Sequence, residues 1–260
     1  MAHDGHQKNR LAWNQMVDLH INHSEYKTAE VIQGGSSLKQ LELQAVGDVK
    51  GKKLLHLMCQ FGLDTLSWAR EGAIVTGVDI SDRSIEAADE IKEKAGLKAE
   101  FIRSDILDLP GKLTGLFDIG YQSYGTHCWI SDIKAWARVV AGSLKPGGLF
   151  FIVDEHPINV LFLVDPPINY FDPKPLSTPN PTDYCEKDHH IGTELVEWQH
   201  PLSAILNALI EAGMVIDQVG EYDFGYYQVE KDWYQEGEKW YPPGGPTAFP
   251  IMMSIKAYRG

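Results

Sequence analysis

The sequence is poor in cysteine, in long apolar runs and in clustered positive charge. Its three cysteines (Cys59, Cys128, Cys185) are too scattered for a disulfide framework and form no C-x-x-C metal pair. A reducing, cytoplasmic setting is therefore the simplest expectation. No apolar stretch approaches the ~18 residues that suggest a membrane helix. The segment Met1 to Arg10 is polar and lacks the apolar core of a leader peptide, so export is not expected. The net charge is −13 and no local Lys/Arg cluster offsets it, which disfavours DNA or RNA as a partner.

What is present is an ordinary globular balance, 43% hydrophobic and 23% charged, in 260 residues. That length accommodates one large α/β domain or two small ones. Short apolar runs alternate with amphipathic ones from Lys53 onward. Strands are expected at 53–57, 73–79, 99–103, 116–121, 148–154, 214–221 and 251–258, and helices at 63–71, 82–95, 131–143 and 200–212. Ser81 and Asp82 stand where an N-cap is wanted, and Gly96 and Gly142 where helices should stop. This alternation implies a mainly parallel sheet covered on both faces. The last strand follows its predecessor without a long helix, so it is expected to return antiparallel, at the sheet edge. Upstream, Leu11 to Ile32 suggests a short helix, Gly34-Gly35-Ser36-Ser37 breaks it, and Leu38 to Val46 suggests another.

Two long inserts interrupt the pattern. Residues 157–199 are rich in Pro, Asp and aromatics. Residues 223–250 carry Tyr226, Tyr227, Trp233, Tyr234, Trp240 and Tyr241 before a Pro-Pro-Gly-Gly-Pro run. Their aromatic content argues for order. They read as a lid or substrate wall, with a covered sheet edge or a dimer contact as the alternative.

The run Lys53-Leu54-Leu55-His56-Leu57-Met58-Cys59-Gln60-Phe61-Gly62, then Val75-Thr76-Gly77-Val78-Asp79, reads as strand, tight turn, helix and a second strand ending in a carboxylate. Those are the parts of half a nucleotide-binding crevice, with Asp79 placed to accept ribose hydroxyls. With Val78-Asp79-Ile80-Ser81, Arg103-Ser104-Asp105-Ile106 and Leu144-Lys145-Pro146-Gly147-Gly148, the chain resembles the class I S-adenosylmethionine-dependent methyltransferases over roughly residues 40–260. The resemblance implies a three-layer Rossmann-like α/β sandwich, with a seven-stranded, mostly parallel sheet and an antiparallel last strand. It implies a helical cap over residues 1–47 and a methyltransferase domain over 48–260, with lid inserts at 157–199 and 223–250. The first motif departs from the family pattern: His56 replaces an acid, Met58 and Gln60 replace glycines, and only Gly62 remains.

The resemblance implies S-adenosyl-L-methionine as cofactor, held by Tyr26, His56, Cys59, Gly62, Asp79, Ile80, Asp105, Ile106 and Tyr121. Asp79 would take the ribose, Asp105 and the Ile106 backbone the adenine edge, and Ile80 the adenine face. His56 reads equally as a ligand contact or as a satisfied strand-end histidine, and Cys59 as a filler of small buried space. Trp13 and Tyr26 are candidate contacts from the N-terminal segment. His127 (with Tyr121 and Ser123), Glu155 and His156 follow the fourth and fifth strands and are the catalytic candidates, as bases or as pocket-shaping groups. No metal ligands are assigned, since Asp188-His189-His190 reads as a solvated loop. Asp165-Pro166-Pro167-Ile168-Asn169-Tyr170 resembles a DNA-methylase motif but follows the wrong strand. The absence of G-x-G-x-x-G argues against a dinucleotide dehydrogenase. The expected activity is in-line methyl transfer to a small-molecule acceptor. A cofactor-binding protein without transferase activity, and a protein methyltransferase, remain as alternatives.

Overall fold

The computed structural model describes residues 2–109, 111, 113–162, 168–245 and 248–260. Three N-terminal helices, α1 (Ala2–Asn22), α2 (Thr28–Ile32) and α3 (Gln40–Val46), precede an alternating core. That core runs β1 (Lys53–Leu57), α4 (Leu63–Arg70), β2 (Ile74–Asp79), α5 (Asp82–Ala95), β3 (Glu100–Arg103), β4 (Phe117–Ser123), α6 (Ile133–Ser143) and β5 (Leu144–Glu155). The hairpin β6 (Leu176–Pro179)–β7 (Glu194–Glu197) follows, then α7 (Leu202–Glu211), β8 (Met214–Tyr222), the hairpin β9 (Tyr234–Glu236)–β10 (Lys239–Tyr241), and β11 (Met252–Arg259).

Seven strands form one sheet in the order β3-β2-β1-β4-β5-β11-β8, with β11 antiparallel to both neighbours. The last strand is thus antiparallel, as expected, but it is not at the edge. It inserts between β5 and β8, and β8 becomes the edge. The composition explains the order: Met252, Met253, Ile255 and Ala257 are buried, whereas Val215 and Val219 of β8 are exposed, so the more apolar strand takes the covered position.

Each face of the sheet has its own core. Leu55, Leu57, Phe150 and Ile152 pack under α6 and α7 with the fully buried Trp136. Leu54, Ile119, Tyr121 and Phe151 pack on the other face with Trp68 of α4, Val46 of α3 and Phe224, Tyr226 and Trp233 of the second insert. Losing Trp68 or Trp136, both fully buried, to alanine should cost about 3–5 kcal/mol.

The N-terminal segment is more regular than its sequence suggests. One helix begins at Ala2 rather than near Leu11, because its polar residues have partners. The Asn9 side chain both donates to and accepts from the Val196 backbone, at 2.7 and 2.8 Å. Arg10 pairs with Asp82, and Asn14 Oδ1 accepts from Ser81 Oγ at 2.7 Å. Tertiary pairing here overrides a weak apolar pattern. Residues Asp165, Pro166 and Pro167 of the methylase-like decoy lie outside the described residues.

Candidate active site

The order in which strands are added reverses between β1 and β4, which lie side by side and parallel with His56 opposite Tyr121. In open α/β sheets a ligand crevice forms at such a point, outside the carboxyl ends of the strands. The ends of β1, β2, β4 and β5 carry most of the residues singled out above.

The turn after β1 keeps a backbone that glycine would favour, although two of its residues are not glycine. Met58 has φ 57° and Gln60 φ 50°, both left-handed, and Gly62 follows at φ 79° as the N-cap of α4. Left-handed geometry costs an ordinary residue roughly 1–2 kcal/mol. The turn holds because its amides are used: Cys59 N donates to Val78 O at 2.9 Å and Gln60 N to Asp79 Oδ2 at 2.8 Å. At Gly62 glycine is also required by space, since a Cβ there would lie 2.6 Å from the Phe101 ring. Cys59 is buried, beside Gly77, and burial followed by Asp79 raises its thiol well above its ordinary range.

Asp79 ends β2 and is half-buried. It accepts from Gln60 N and, at 2.9 Å, from Ser81 N, and it joins no salt bridge among the described residues. Burial pushes its carboxyl up to about 6, and the amides of Ser81, Gln60 and Ile80 pull it only part of the way back. Ile80 follows, half-buried. Asp105 ends the stretch after β3. Its Oδ1 caps the following turn through Leu107 N at 2.9 Å, and its Oδ2 accepts from His6 Nδ1 at 2.5 Å. Ile106 is buried in the α6-side core. The carboxylate expected at the adenine edge is thus engaged by a histidine of α1, whose Nε2 is buried without a hydrogen bond.

His56 and Tyr121 face the α3–α4 side. The His56 ring bonds Thr65 Oγ1 at 2.8 Å through Nδ1 and lies 3.4 Å from Ser123 Oγ through Nε2. Burial lowers its pKa to about 4, so it is neutral. Tyr121 donates to Glu42 Oε1 at 2.6 Å, and Ser123 donates to Asp64 Oδ2 at 2.9 Å. Burial and then Asp64 push Glu42 up to about 8. Tyr26 lies beside the first-motif turn, where its hydroxyl accepts from Gln60 Nε2 at 3.1 Å and contacts the Tyr184 hydroxyl. Trp13 packs edge-on against Trp129, with ring centroids 5.8 Å apart.

The opposite wall is built around Asp154, which is 0% exposed. It accepts from Gly125 N (2.5 Å), from Thr126 N and Oγ1 (3.0 and 2.6 Å) and from His127 N (3.0 Å), so one carboxylate organises the whole loop after β4. His127 Nδ1 lies 3.2 Å from Asp154 Oδ2. Burial alone would raise the Asp154 carboxyl, but His127 and Thr126 outweigh it and hold it down at about 2. Burial alone would lower the His127 pKa, but Asp154, then Glu155 and Glu197, raise it above the usual imidazole value. Glu155 is reached by solvent on one side; the protein packed around it, then Asp154, raise its carboxyl. His156 is turned away from this group. Its Nδ1 accepts from Ile158 N at 3.1 Å, capping the turn Pro157–Leu161, and its Nε2 lies 3.0 Å from Glu221 of β8. Asp154 is the residue that sequence reasoning passed over in favour of its neighbours. Strand parity held no signal, because both faces of β5 are buried: Phe150 and Ile152 precede Asp154 on one, Phe151 and Val153 precede Glu155 on the other.

Residues 54–148 match a family model described as a methyltransferase domain. These residues are thus similar to a methyltransferase domain, and the sheet order is that of the class I S-adenosylmethionine-dependent methyltransferase fold. An uncharacterized methyltransferase of Synechocystis is 33% identical over 144 residues, 54% of this chain and 64% of that protein. A ubiquinone biosynthesis O-methyltransferase of Vibrio campbellii is 36% identical over 110 residues, 42% of this chain and 46% of that one. The chain thus spans about half to just under two thirds of these curated relatives. Among solved structures, an S-adenosylmethionine-dependent methyltransferase of Methanosarcina mazei superposes with a TM-score of 0.60 at 19% identity, covering 85% of this chain and 98% of that one. A Listeria monocytogenes structure described in similar terms gives 0.59 at 18%, covering 84% and 94%. At these identities the structural likeness is one of fold.

S-adenosylmethionine is the cofactor of this family, and the Asp79 side of the crevice fits its ribose. A half-buried carboxylate held up at about 6, with backbone amides as its donors and no cation paired to it among the described residues, lacks the donors that a pair of hydroxyls provides. Among the described residues no helix is long and apolar enough to cross a membrane.

Proposed function

We propose that this chain transfers a methyl group from S-adenosylmethionine to a nucleophile on a small molecule, with His127 as the proton acceptor. The observation that carries the reading is the buried His127–Asp154 pair at the carboxyl ends of β4 and β5. The bound cofactor supplies an activated methyl group on a sulfonium, so the protein's task is placement and proton removal. Asp79 accepts the ribose hydroxyls, the Met58–Gly62 turn brings main chain close to the ligand, and Ile80, Asp105 and Ile106 border the adenine position. Asp154 fixes the imidazole. His127 takes the acceptor's proton as the acceptor's lone pair forms the new bond to carbon, and the carbon–sulfur electron pair leaves with sulfur. Glu155, open to the same crevice, contacts the acceptor. His156 serves to anchor the turn that starts the first insert. Tyr26 and Tyr121, with His56 and Cys59, shape the floor on the methionine side. Residues 1–47 and the inserts at 157–199 and 223–250 act as cap and lid.

Oxygen is the favoured acceptor atom, because relatives such as the Vibrio protein are named O-methyltransferases. The acidic surface and the absence of a basic cluster favour a small molecule in the cytoplasm over a nucleic acid. The test is radiolabelled S-adenosylmethionine incubated with a fractionated small-molecule extract. Label should enter a low-molecular-weight product, and His127→Ala should cut turnover while leaving calorimetric cofactor affinity unchanged. Label entering protein alone would replace this reading with a protein methyltransferase. Tight cofactor binding without transfer into any fraction would leave a binding protein.

A further inference from the structure

Two loops separated by some 160 positions in sequence bring together the donor types of a thiophilic metal site. His23 and Glu25 follow α1, and Asp183 and Cys185 lie between β6 and β7 of the first insert. Two triads, His23–Glu25–Cys185 and His20–Asp183–Cys185, each hold one donor atom per residue within 4.8 Å of one another and share the thiol. We propose that His23, Glu25 and Cys185, with Asp183 completing the set, bind a zinc ion that fastens the N-terminal segment to the first insert.

The donor chemistry selects the metal. One sulfur, one imidazole nitrogen and carboxylate oxygens suit zinc, whereas calcium and magnesium take oxygen alone. Donors around tetrahedral zinc stand about 3.3–3.7 Å apart, given bonds of 2.0–2.3 Å. Cys185 Sγ is already 3.9 Å from Glu25 Oε2, and the donors of His23, Glu25 and Cys185 lie within 4.8 Å of one another, so side-chain adjustments of about 1 Å bring these three to ligand spacing. Asp183 is pre-oriented for the role. Its Oδ1 accepts from Cys185 N at 2.8 Å and Glu186 N at 3.0 Å, which directs Oδ2 toward the cluster, where His20 Nε2 donates to it at 2.8 Å. His20, fully buried, is therefore an outer partner that fixes the ligand, as second-shell groups do in zinc sites.

The position gives the site a consequence. Tyr26 and Tyr184 are sequence neighbours of the ligands. Their hydroxyls touch each other, and Tyr26 accepts from Gln60 in the first-motif turn. The ion would therefore hold the cap and the insert closed beside the cofactor crevice. His189 and His190, the histidines that stand out in the sequence, belong to neither triad.

The test is a titration of metal-stripped full-length protein with Zn²⁺, and separately with Co²⁺. One equivalent of each should bind. Cobalt should give a near-ultraviolet thiolate charge-transfer band and the intense visible bands of tetrahedral coordination. Cys185→Ser should remove the charge-transfer band, and both Cys185→Ser and His23→Ala should weaken zinc binding at least tenfold, within the range of roughly 10–100-fold known for supporting zinc-site groups. Both positions are half-exposed, so these variants should fold. His190→Ala should bind as the wild type does. Zinc should raise the thermal midpoint of the wild type and of His190→Ala only. Less than one equivalent bound, or a cobalt–thiolate band that survives Cys185→Ser, would overturn the proposal. None of these readouts depends on methyl transfer.

Discussion

Two carboxylates at strand ends, Asp79 and Asp154, sit on opposite walls of one crevice and are treated oppositely by the fold. Asp79 receives the amides of Gln60 and Ser81 with a weaker pull from that of Ile80, no salt bridge among the described residues, and a pKa pushed up to about 6. Asp154 receives four amides and a hydroxyl, stands 3.2 Å from the His127 imidazole, and is held at about 2. Both are desolvated; the difference is donor supply. Asp154 is complete without a ligand and so can serve as a fixed point for the loop that carries His127. Asp79 is incomplete, and a ligand bringing two hydroxyls would finish it. An oversatisfied carboxylate marks scaffold, and an undersatisfied one marks a binding position.

The largest expected effect comes from breaking the satisfied side. Asp154→Ala leaves the amides of Gly125, Thr126 and His127 and the Thr126 hydroxyl without their acceptor and removes the charge 3.2 Å from His127 Nδ1. It should lower unfolding free energy by about 3–5 kcal/mol in denaturant titration and abolish turnover. The pH dependence follows from the depressed value. The native carboxyl lies below its ordinary 3.8, so its contribution, about 2 kcal/mol, is fully present above pH 4 and is lost as pH falls toward 2. Asp154→Asn should remove that acid step from the stability profile.

His127→Asn comes next. It keeps a polar side chain over Asp154 but cannot take a proton, so kcat should fall by about 10²–10⁴ with little change in cofactor affinity. In the wild type, the imidazole must be neutral to act. Because its pKa is raised, kcat/KM should climb with pH through a value above the ordinary 6.5, and the variant should lose that limb.

Asp79→Asn should separate binding from stability. Cofactor affinity should weaken by roughly 1.5–3 kcal/mol in calorimetry, the scale of charged hydrogen bonds. Stability should move the other way. A carboxyl raised above its unfolded value contributes stability below about pH 4 and loses it as pH rises through about 6. Asn removes that loss, so the ligand-free variant should be as stable as the wild type at pH 7–8, or more stable by about 1 kcal/mol, a figure reduced because solvent reaches the group. Wild-type affinity should fall as pH drops below about 6, because the ribose hydroxyls bind the ionised form.

Sequence pattern revealed this comparison only in part. Strand period and the positions of Asp79 and Gly62 made the donor half legible, since local spacing alone sets a strand–turn–helix unit. The swap of β11 into the sheet interior was not legible, because strand order depends on which of two apolar strands covers β5 better. Nor was Asp154: its role rests on a loop folding back onto it, and two adjacent acids at the end of a strand buried on both faces give no hint of which is enclosed. The engagement of Asp105 by His6 spans 99 positions, and no local pattern foretells it.

The smallest expected effect tests the turn that completes Asp79's partial shell. Gln60 holds a left-handed φ of 50° and donates its amide to Asp79, while its side chain reaches Tyr26. Gln60→Ala and Gln60→Gly both delete the side-chain contact, so the difference between them reports backbone alone. On ordinary backbone, alanine is the more stable of the two by about 0.4–1 kcal/mol, because glycine leaves the unfolded chain more freedom. Here the left-handed penalty of roughly 1–2 kcal/mol falls on alanine, and the order should invert, with Gln60→Gly the more stable by about 0.5–1 kcal/mol. The same pair should rank identically for cofactor affinity, because a turn that relaxes out of the left-handed region withdraws its amide from Asp79. Alanine equal to or better than glycine in both measurements would mean that the turn is held by its surroundings rather than strained. The incompleteness of Asp79 would then reflect desolvation alone.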